Sequence, residues 1–354
     1  MFEQLDFSKF YSANTAQRDS FCQNLASSLR RNGFVRLVNH GISSEEIDRA
    51  FETSRHFFEL PLEQKLKSPH PPTANPHRGY TAFGIENVSA ASNYGSSSKL
   101  PVLNDMKVPF PFLGILSPLY LNLSDILQES YDIGHKNDAL YTNIWPPAGV
   151  HDAFQPTFTS FFASAYNAEI AILQALSIGL GLALETLSQL HVEKANELRL
   201  THYPAVSRAE FSHSTRIAAH TDFGTITFLF QDCVGGLQME FPRGSGKFVD
   251  VESGGPHECI LNVGDCLEKW TGLPSARHRV HLPERLQRAG GQNGNREGND
   301  DFLVEERFSI AYFAKPDRAA SLRPLLTPRG GFGHSEEVYM TAGEFQRMRI
   351  SQTY

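Results

Sequence analysis

The segment HTDFGTITFLFQD, which begins at His220, carries a histidine and an aspartate two residues apart at the head of an apolar run. Side chains of a strand alternate between its two faces, so His220 and Asp222 are expected on one face. Ile226, Phe228 and Phe230 share their parity, which predicts that this face looks into an apolar interior. Because a buried carboxylate is costly unless it is paired or holds a metal, the pattern predicts a further partner from elsewhere in the chain.

A second histidine is the partner that metal chemistry requires. The downstream candidates are His257, His278 and His281. His257 lies in the turn-like SGGPHE, whereas the residues after His278 alternate as in a strand, and His281 has the opposite parity. Two imidazoles and one carboxylate on one side of an iron ion form a facial triad, which leaves three octahedral positions open for a chelating cosubstrate and dioxygen. A lone His-x-Asp pair is common by chance, so this interpretation depends on further residues.

Those further residues lie in ERFSIAYF, where Arg307 and Ser309 are again two apart on a strand-like run. The planar donor fork of a guanidinium matches a carboxylate, and on a buried sheet face it needs one. The pair therefore predicts a carboxylate-binding site beside the candidate metal ligands. Taken alone, Arg307 could equally be an exposed or ion-paired residue at a strand edge.

The bulk composition is that of an ordinary globular protein, with 354 residues of which 40% are hydrophobic. This length permits one large domain or two ordinary ones. A net charge of -7 without a basic cluster argues against a nucleic-acid partner or an anionic membrane surface. Four cysteines at wide or irregular spacing, and a start without a signal-like apolar core, favour a reduced, cytoplasmic chain.

The elements that must position these residues change type along the chain. Three helices are predicted, over residues 19–32, 44–60 and 157–190. The apolar run 168–184 contains a glutamate and glycines and is expected to be a buried helix rather than a membrane span. From residue 198 onward, short alternating runs separated by turn residues predict a double-layered or barrel-like β architecture. Helices first and strands later indicate an α+β fold around one sheet core.

Two irregular regions are candidates for substrate specificity. Residues 68–118 are rich in proline, serine, asparagine and glycine, and long irregular segments are commonly lids or binding loops. Their aromatic residues Tyr80, Phe83 and Tyr94 are therefore expected to face a substrate. The Gly- and Asn-rich insertion 288–301 is the second such region.

The chain resembles iron(II)/2-oxoglutarate-dependent dioxygenases of the isopenicillin N synthase-like group, which includes fungal and thymine 7-hydroxylase-like members. The resemblance is carried by GFVRLVNHGIS with the helix that follows it, by RGYTAF and YDIG, and by the stretch from THYP through AYFAKPD, in which NVGDCLEKWTGLPSARHRV matches closely. It covers nearly the whole chain. The resemblance implies a distorted double-stranded β-helix (jelly roll) core flanked by helices, with an N-terminal helical and strand region. The chain is expected to divide into 1–150, with the substrate-facing loop, and 151–354, with a long support helix and the core, packed as one compact unit.

The resemblance also implies roles for six residues. The expected iron ligands are His220, Asp222 and His278, and the expected 2-oxoglutarate contacts are Arg307, Ser309 and Tyr203. The implied cofactors are Fe(II), 2-oxoglutarate as cosubstrate, and O2. The implied reaction oxidises a small organic molecule, by hydroxylation, desaturation or ring rearrangement, while 2-oxoglutarate becomes succinate and CO2. Fungal-type specialised metabolism is the expected setting, and no obligatory protein partner is expected.

Contacts with the substrate itself are less strongly encoded. Arg199 shares the parity of Tyr203 and is either a substrate contact or an ordinary ion-pair residue, and Tyr80 and Phe83 are the other candidates. The spacer before Arg307 is longer than is usual in the group, and a threonine stands two positions before Tyr203 where the group often has asparagine.

Three other functions are compatible with parts of this pattern. An iron oxidase of the same fold would use the Arg-x-Ser pair for a substrate carboxylate and would produce no succinate. A non-catalytic ligand-binding jelly roll would be favoured by loss of a triad residue, and all three are present. A zinc hydrolase would use His and Asp but does not predict Arg-x-Ser near the metal.

Overall fold

The computed structural model describes residues 2–72, 77–83, 128–212, 215–289, 302–326 and 338–350. Within these ranges the helices are α1 Thr15–Asn32, α2 Ser44–Phe58, α3 Leu62–Lys65, α4 Phe154–Gly179, α5 Asp265–Thr271, α6 Glu284–Ala289 and α7 Ala342–Ile350. The strands are β1 Gln4–Asp6, β2 Phe34–Val38, β3 Gly79–Thr81, β4 Glu129–Gly134, β5 Glu197–Tyr203, β6 Val206–Ser207, β7 Ile217–His220, β8 Ile226–Gln231, β9 Leu237–Glu240, β10 Phe248–Asp250, β11 Cys259–Val263, β12 His278–Val280, β13 Leu303–Val304 and β14 Arg307–Ala314. Tyr94 and nearly all of the insertion 288–301 lie outside the described residues.

Two facing sheets form the core of the fold. Eight strands make the major sheet, in the order β1-β2-β11-β8-β14-β5-β4-β3, and four make the minor sheet, in the order β10-β9-β12-β7. From β7 to β14 the chain passes back and forth between the two sheets, which is the winding of a double-stranded β-helix. The predicted α+β jelly roll is therefore confirmed. Strands β1 to β4 come from residues 1–150 and share the major sheet with later strands, while the division at residue 150 stays a prediction.

The first two helices begin and end where local chemistry satisfies their backbone. The side chain of Asn14 accepts hydrogen bonds from the first amides of α1, and Gly33 closes that helix with a φ of 71°. Ser43 and Glu46 form a capping box at the start of α2, which ends at Phe58. The Asn14 cap explains why α1 begins four residues before the predicted boundary.

The support helix α4 is shorter than predicted and ends at Gly179 rather than near residue 190. A Cβ atom on Gly179 would lie 2.1 Å from the carbonyl oxygen of Cys22, so α1 and α4 touch closely there. Gly181 then adopts a φ of 74°, which ends the helix, and the following residues form turns. The helix is long and apolar enough to cross a membrane, yet 56% of its most apolar window is buried inside the protein. The prediction of a buried core helix is confirmed.

The major sheet separates two apolar regions. One face packs against α1, α2 and α4 and forms the main core, which includes Phe57, Phe154 and Phe228. The other face looks towards the minor sheet, where a smaller apolar cluster includes Phe34 and Val280. An open cavity lies between the two sheets. A side chain of the major sheet therefore reaches either this cavity or the main core, according to the face of the sheet on which it lies.

Candidate active site

The chain turns between the two parts of the HTDFGTITFLFQD segment. Strand β7 ends at His220, residues 221–225 form a turn, and β8 begins at Ile226. After the turn, the side chains of β8 that line the cavity are those of Thr227 and Leu229. This is the opposite of the expected alternation. The residues predicted to share the metal-facing side lie instead in the main core against the helices: Ile226, Phe228 and Phe230. That part of the parity prediction is wrong, since the residues between the two strands do not continue the extended backbone.

The turn brings three candidate metal ligands together. Ligand atoms of His220, Asp222 and His278 all lie within 4.8 Å of one another. The Nε2 atoms of the two histidines lie 3.7 and 3.8 Å from the same Asp222 oxygen, Oδ1. His278 and His220 are direct partners in the register of β12 and β7, which places both imidazoles on the cavity side of the minor sheet. The arrangement offers two nitrogens and one oxygen on one side of a single point, as a facial triad requires.

Neighbouring groups orient all three ligands. Nδ1 of His220 donates to the carbonyl oxygen of Ala218 at 2.8 Å, and Nδ1 of His278 donates to that of Ala276 at 3.0 Å. A carbonyl can only accept, so each Nδ1 carries the proton and each Nε2 keeps its lone pair for a metal.

The aspartate is oriented in the same way, through its second oxygen. Oδ2 of Asp222 accepts hydrogen bonds from Thr227 at 2.6 Å and Asn262 at 2.7 Å, which leaves Oδ1 for the metal. Neither Thr227 nor Asn262 was identified from the sequence, although both lie inside segments that carry the family resemblance.

The protonation states also suit a divalent cation. Burial, followed by the nearby His278, lowers the pKa of His220 to about 4, so that imidazole is neutral near pH 7. Burial by itself would raise the pKa of Asp222, but the adjacent His278 and His220 and two hydrogen bonds outweigh it and hold that pKa below its ordinary value. A neutral imidazole and an ionised carboxylate are the forms that bind metal.

The cavity end formed by β5 and β14 contains the predicted carboxylate-binding residues. Arg307 is completely buried; its Nη2 donates to Oε1 of Gln231 at 2.6 Å and its Nη1 to the hydroxyl of Ser309 at 3.3 Å. The Tyr203 ring lies 4.8 Å from the guanidinium carbon. Nε of Arg307 and Nε2 of Gln231 are buried and have no hydrogen-bond partner among the described residues. Buried donors without acceptors are uncommon in proteins, so this end fits an incoming carboxylate. We call it the cosubstrate end.

A second buried guanidinium, which the sequence did not reveal, lies beside the same tyrosine. The Cζ atom of Arg216 is 5.7 Å from the centroid of the Tyr203 ring, and its Nη2 donates to the carbonyl oxygens of Glu305 at 2.5 Å and Pro204 at 3.4 Å. Its Nε and Nη1 have no hydrogen-bond partner within the part of the chain that the structure describes. Burial, followed by the proximity of Arg307, lowers the pKa of Arg216 to about 10. Strand parity could not reveal this residue, because its partners are backbone carbonyls at the ends of other segments.

The opposite end of the same cavity wall carries paired charges. Arg199 lines the cavity and forms two hydrogen bonds with Asp132, from Nε at 2.7 Å and from Nη2 at 2.9 Å. Glu197 pairs with Lys315 at 2.8 Å and with His77 at 3.4 Å. Arg199 is therefore an ion-pair residue that also faces the cavity, and its contact with substrate stays a prediction. We call this region the charged end.

Two aromatic residues predicted to face the substrate do not line the cavity. Tyr80 is buried in the main core opposite Tyr131, and its hydroxyl donates to Glu129 at 2.5 Å. Phe83 is half exposed and its ring lies 6.5 Å from that of His202, on the helix side of the major sheet. Neither Tyr80 nor Phe83 lines this cavity, and their contact with substrate stays a prediction.

The last helix reaches the back of the metal turn. Nη2 of Arg349 donates to the hydroxyl of Thr221 at 3.2 Å, and Nη1 forms a 2.5 Å ion pair with Asp265. The guanidinium also lies 4.3 Å from the centre of the Phe223 ring. The amide of Asp265 in turn donates to the carbonyl oxygen of Asp222 at 2.8 Å. Arg349 thus contacts both residues that flank Asp222, and no sequence pattern had pointed to it.

Comparison with known proteins agrees with this geometry. Residues 195–316 match the 2OG-Fe(II) oxygenase superfamily, and residues 3–108 match the family described as non-haem dioxygenase in morphine synthesis N-terminal. The chain is 38% identical to the 2-oxoglutarate-dependent dioxygenase frbA of Dothideomycetidae sp. (strain 11243), over 99% of this chain and 96% of the relative. It is 36% identical to the proline hydroxylase buaE of Petromyces alliaceus, over 99% of each.

A solved structure shows the same fold. The full-length thymine 7-hydroxylase of Neurospora crassa in complex with alpha-KG superposes with a TM-score of 0.76 at 27% identity, over 99% of this chain and 96% of that one. The fold and site thus define a jelly-roll oxygenase with a candidate two-histidine, one-carboxylate centre in the same cavity as a buried arginine. The chain belongs to the 2-oxoglutarate/Fe(II)-dependent dioxygenase family. The prediction from resemblance is confirmed, and the protein is an oxidoreductase that uses Fe(II), 2-oxoglutarate and O2 to oxidise a small organic molecule.

Proposed function

We propose how the residues of this chain divide the work of a 2-oxoglutarate-dependent oxygenase. Three residues bind iron and three hold the cosubstrate: His220, Asp222 and His278 for the metal, and Arg307, Ser309 and Tyr203 for 2-oxoglutarate. The observation that carries this assignment is the convergence of two Nε2 atoms on Oδ1 of Asp222, in the same cavity as a buried guanidinium without a described carboxylate partner. A dicarboxylate that chelates a metal through one end and meets an arginine through the other fits that pairing.

The protein's part in the reaction is to bind, orient and exclude water. Iron supplies the activation of dioxygen. Arg307 neutralises the far carboxylate of 2-oxoglutarate, while Gln231 and Ser309 hold the guanidinium in a fixed orientation. Ala218 and Ala276 fix the tautomers of the two histidines through their carbonyl oxygens. The apolar wall around Leu229 and Phe34 keeps the reacting region dry.

The overall reaction is balanced by oxidation of the cosubstrate. For a hydroxylation, a substrate C–H bond becomes C–OH, while 2-oxoglutarate loses its 1-carboxyl group as CO2 and becomes succinate. One oxygen atom of O2 enters the new hydroxyl group and the other enters succinate. Desaturation or ring rearrangement uses the same oxidant with a different fate for the substrate.

The setting of the reaction is part of the same proposal. We place it in fungal-type specialised metabolism because the relatives compared above come from fungi. A small substrate is supported by two other proteins: buaE, which is named a proline hydroxylase, and the Neurospora crassa thymine 7-hydroxylase, which has been solved with thymine. A cytoplasmic location and the lack of an obligatory protein partner remain predictions from the sequence.

Anaerobic spectroscopy tests the assignment of residues directly. Addition of Fe(II) and then 2-oxoglutarate to the metal-free protein is expected to produce the weak visible charge-transfer band of a chelated keto acid. The band is expected to disappear in His278→Ala, because a ligand is lost, and in Arg307→Ala, because the cosubstrate is no longer held at its far end.

Each alternative outcome has a defined meaning. Iron binding without a band, together with substrate oxidation that yields no succinate, would indicate an iron oxidase and reject the assigned cosubstrate end. A band that persists unchanged in Arg307→Ala would show that another residue binds the far carboxylate. Tyr131→Phe, a change in the main core away from the cavity lining, is the control and is expected to keep the band.

A further inference from the structure

The residues of β5 that face the cavity form a row running from one end of the site to the other. In order they are Tyr203, Thr201, Arg199 and Glu197, each two residues from the next, so neighbours are about 7 Å apart. Tyr203 lies opposite Arg307 in the register with β14, which marks the cosubstrate end. Arg199 and Glu197 are therefore separated from that end by Thr201, so an anchor for a second molecule is available within the same cavity.

The strand register also fixes how far this second anchor lies from the metal ligands. Glu197 lies opposite Phe313 on β14, and Phe313 lies opposite Thr227 on β8. Thr227 is the residue that donates to Asp222. Two strand spacings amount to about 10 Å between the backbones, which leaves room for a head group at β5 and a short carbon skeleton reaching the metal. Ala311 and Phe313 give this intervening floor an apolar surface.

The charged end differs from the cosubstrate end because its ions are paired with each other. Arg199 is held by Asp132, and Glu197 is held by Lys315. Adjacent positive and negative groups with little net charge suit a molecule that itself carries both charges, because each half meets its complement. A simple dianion such as 2-oxoglutarate suits an unpaired guanidinium better, so the two ends select different ligands.

We propose that the charged end binds the zwitterionic head group of a free α-amino acid or imino acid, with Arg199 at its carboxylate and Glu197 at its ammonium. The carbon skeleton lies over Ala311 and Phe313 and presents a C–H bond to the metal. Arg199 and Glu197 thereby determine specificity, and Asp132 and Lys315 hold them in position. This inference rests on the proposed function, because it requires the metal and the cosubstrate to occupy the other part of the cavity.

The test uses the anaerobic complex of the full chain with Fe(II) and 2-oxoglutarate, whose visible band is expected to shift when a substrate binds near the metal. The proteinogenic L-α-amino acids, L-proline included, are titrated one at a time, followed by the amide and the deaminated acid of the strongest responder. At least one amino acid is expected to shift the band. Its amide and its deaminated acid are each expected to bind about 10- to 100-fold more weakly, since each lacks one charge-assisted contact.

Paired variants remove charges without leaving a buried ion uncompensated. Asp132→Asn with Arg199→Gln is expected to abolish the preference for the acid over its amide. Glu197→Gln with Lys315→Gln is expected to abolish the preference for the amino acid over its deaminated form. Lys65→Gln with Glu129→Gln is the matched control, because this 2.7 Å ion pair is also buried but neither residue lines the cavity. The control is expected to retain both preferences.

The outcomes separate this inference from the proposed function. Loss of the 2-oxoglutarate band in the unaltered protein would reject the proposed function. An intact band that no amino acid shifts, or that uncharged molecules such as thymine shift while amino acids do not, would overturn the head-group assignment alone. Unchanged preferences in both double variants of the charged end would also overturn it. Arg199→Lys, which keeps the charge, is expected to keep the preference for the acid and supplies a reading if a double variant fails to fold.

Discussion

The two ends of the cavity handle buried charge in opposite ways. At the cosubstrate end, Arg307 and Arg216 are fully buried and donate only to neutral groups among the described residues. At the charged end, Arg199 meets Asp132 at 2.7 Å. An unpaired buried cation is much costlier than one that is paired and hydrogen-bonded. The protein therefore carries an electrostatic cost at one end and has compensated it at the other.

This difference indicates what each end is built to do. An anion that binds at the cosubstrate end compensates the buried guanidinium charge there. The stability lost by burying that charge is therefore recovered as binding affinity for a dicarboxylate. At the charged end, the net charge of a ligand contributes little because the ions are already paired. The fixed hydrogen-bond donors and acceptors there favour one orientation of the ligand. Removing one charge should consequently have opposite effects on stability at the two ends, and that contrast can be measured.

The largest expected effect on stability is at the charged end. Asp132→Asn is expected to lower the free energy of unfolding by about 3–5 kcal/mol, because the nearly buried Arg199 loses the carboxylate that holds it through two hydrogen bonds. Urea denaturation of the metal-free protein measures this. Adding Arg199→Gln to the same chain is expected to restore much of the loss. A double variant as unstable as the single one would show that the pair is not the source of the effect.

At the cosubstrate end, Arg307→Met is expected to weaken the binding of 2-oxoglutarate without lowering the free energy of unfolding, in contrast to Asp132→Asn. The dissociation constant for 2-oxoglutarate is expected to rise by about 100-fold, because the charge-assisted contact with the far carboxylate is lost. The unfolding free energy without ligand is expected to stay level or rise, since an apolar side chain replaces an unpaired buried charge. Calorimetric titration of the Mn(II)-loaded protein and urea denaturation give the two quantities. A loss of stability resembling that of Asp132→Asn would break the contrast between the two ends.

Arg216→Met is expected to change the affinity for 2-oxoglutarate and the stability in the same directions as Arg307→Met, but by smaller amounts. Arg216 lies beside Tyr203 but does not line the cavity, so its charge acts on the cosubstrate over a longer distance. The affinity for 2-oxoglutarate is expected to fall by about 3- to 10-fold, with the affinity for metal unchanged. The same calorimetric titration measures it, and Arg216→Lys should recover part of the loss. Equal affinity in both variants would show that Arg216 has only a structural role.

The sequence predicts those parts of the site in which the interacting residues lie close together along the chain. Residues two apart on a strand, such as Arg307 and Ser309, share a face in the sequence and in the structure alike, so local alternation was a sound guide. The same rule failed between His220 and Phe228, because the five residues 221–225 form a turn and interrupt the alternation of side chains. Periodicity holds only within an unbroken strand.

The remaining parts of the site depend on partners that are distant along the chain. Arg199 meets Asp132 only because β4 and β5 are neighbours in one particular register. Tyr80 sits in an irregular, proline-rich part of the sequence, yet pairing with β4 draws it into the core. Register between strands is set by the packing of the whole sheet, which single-sequence patterns do not contain. The family resemblance pointed to the candidate metal ligands, whereas the electrostatics of both cavity ends could be described only from the structure.

The last expected effect concerns the metal turn, and it falls on metal binding rather than on cosubstrate binding. Arg349→Gln is expected to weaken metal binding by about tenfold, because the side chain contacts Thr221 and Asp265 behind Asp222 and helps to hold that ligand in place. Competition between Mn(II) and a chromophoric chelator measures the constant, and Arg347→Gln, an exposed change on the same helix, is the control. The affinity of the metal-saturated protein for 2-oxoglutarate is expected to stay constant, since Arg349 touches neither end of the cavity. A variant that loses cosubstrate affinity in step with metal affinity would mean that α7 supports the cavity as a whole, and the ends would then not be energetically separate.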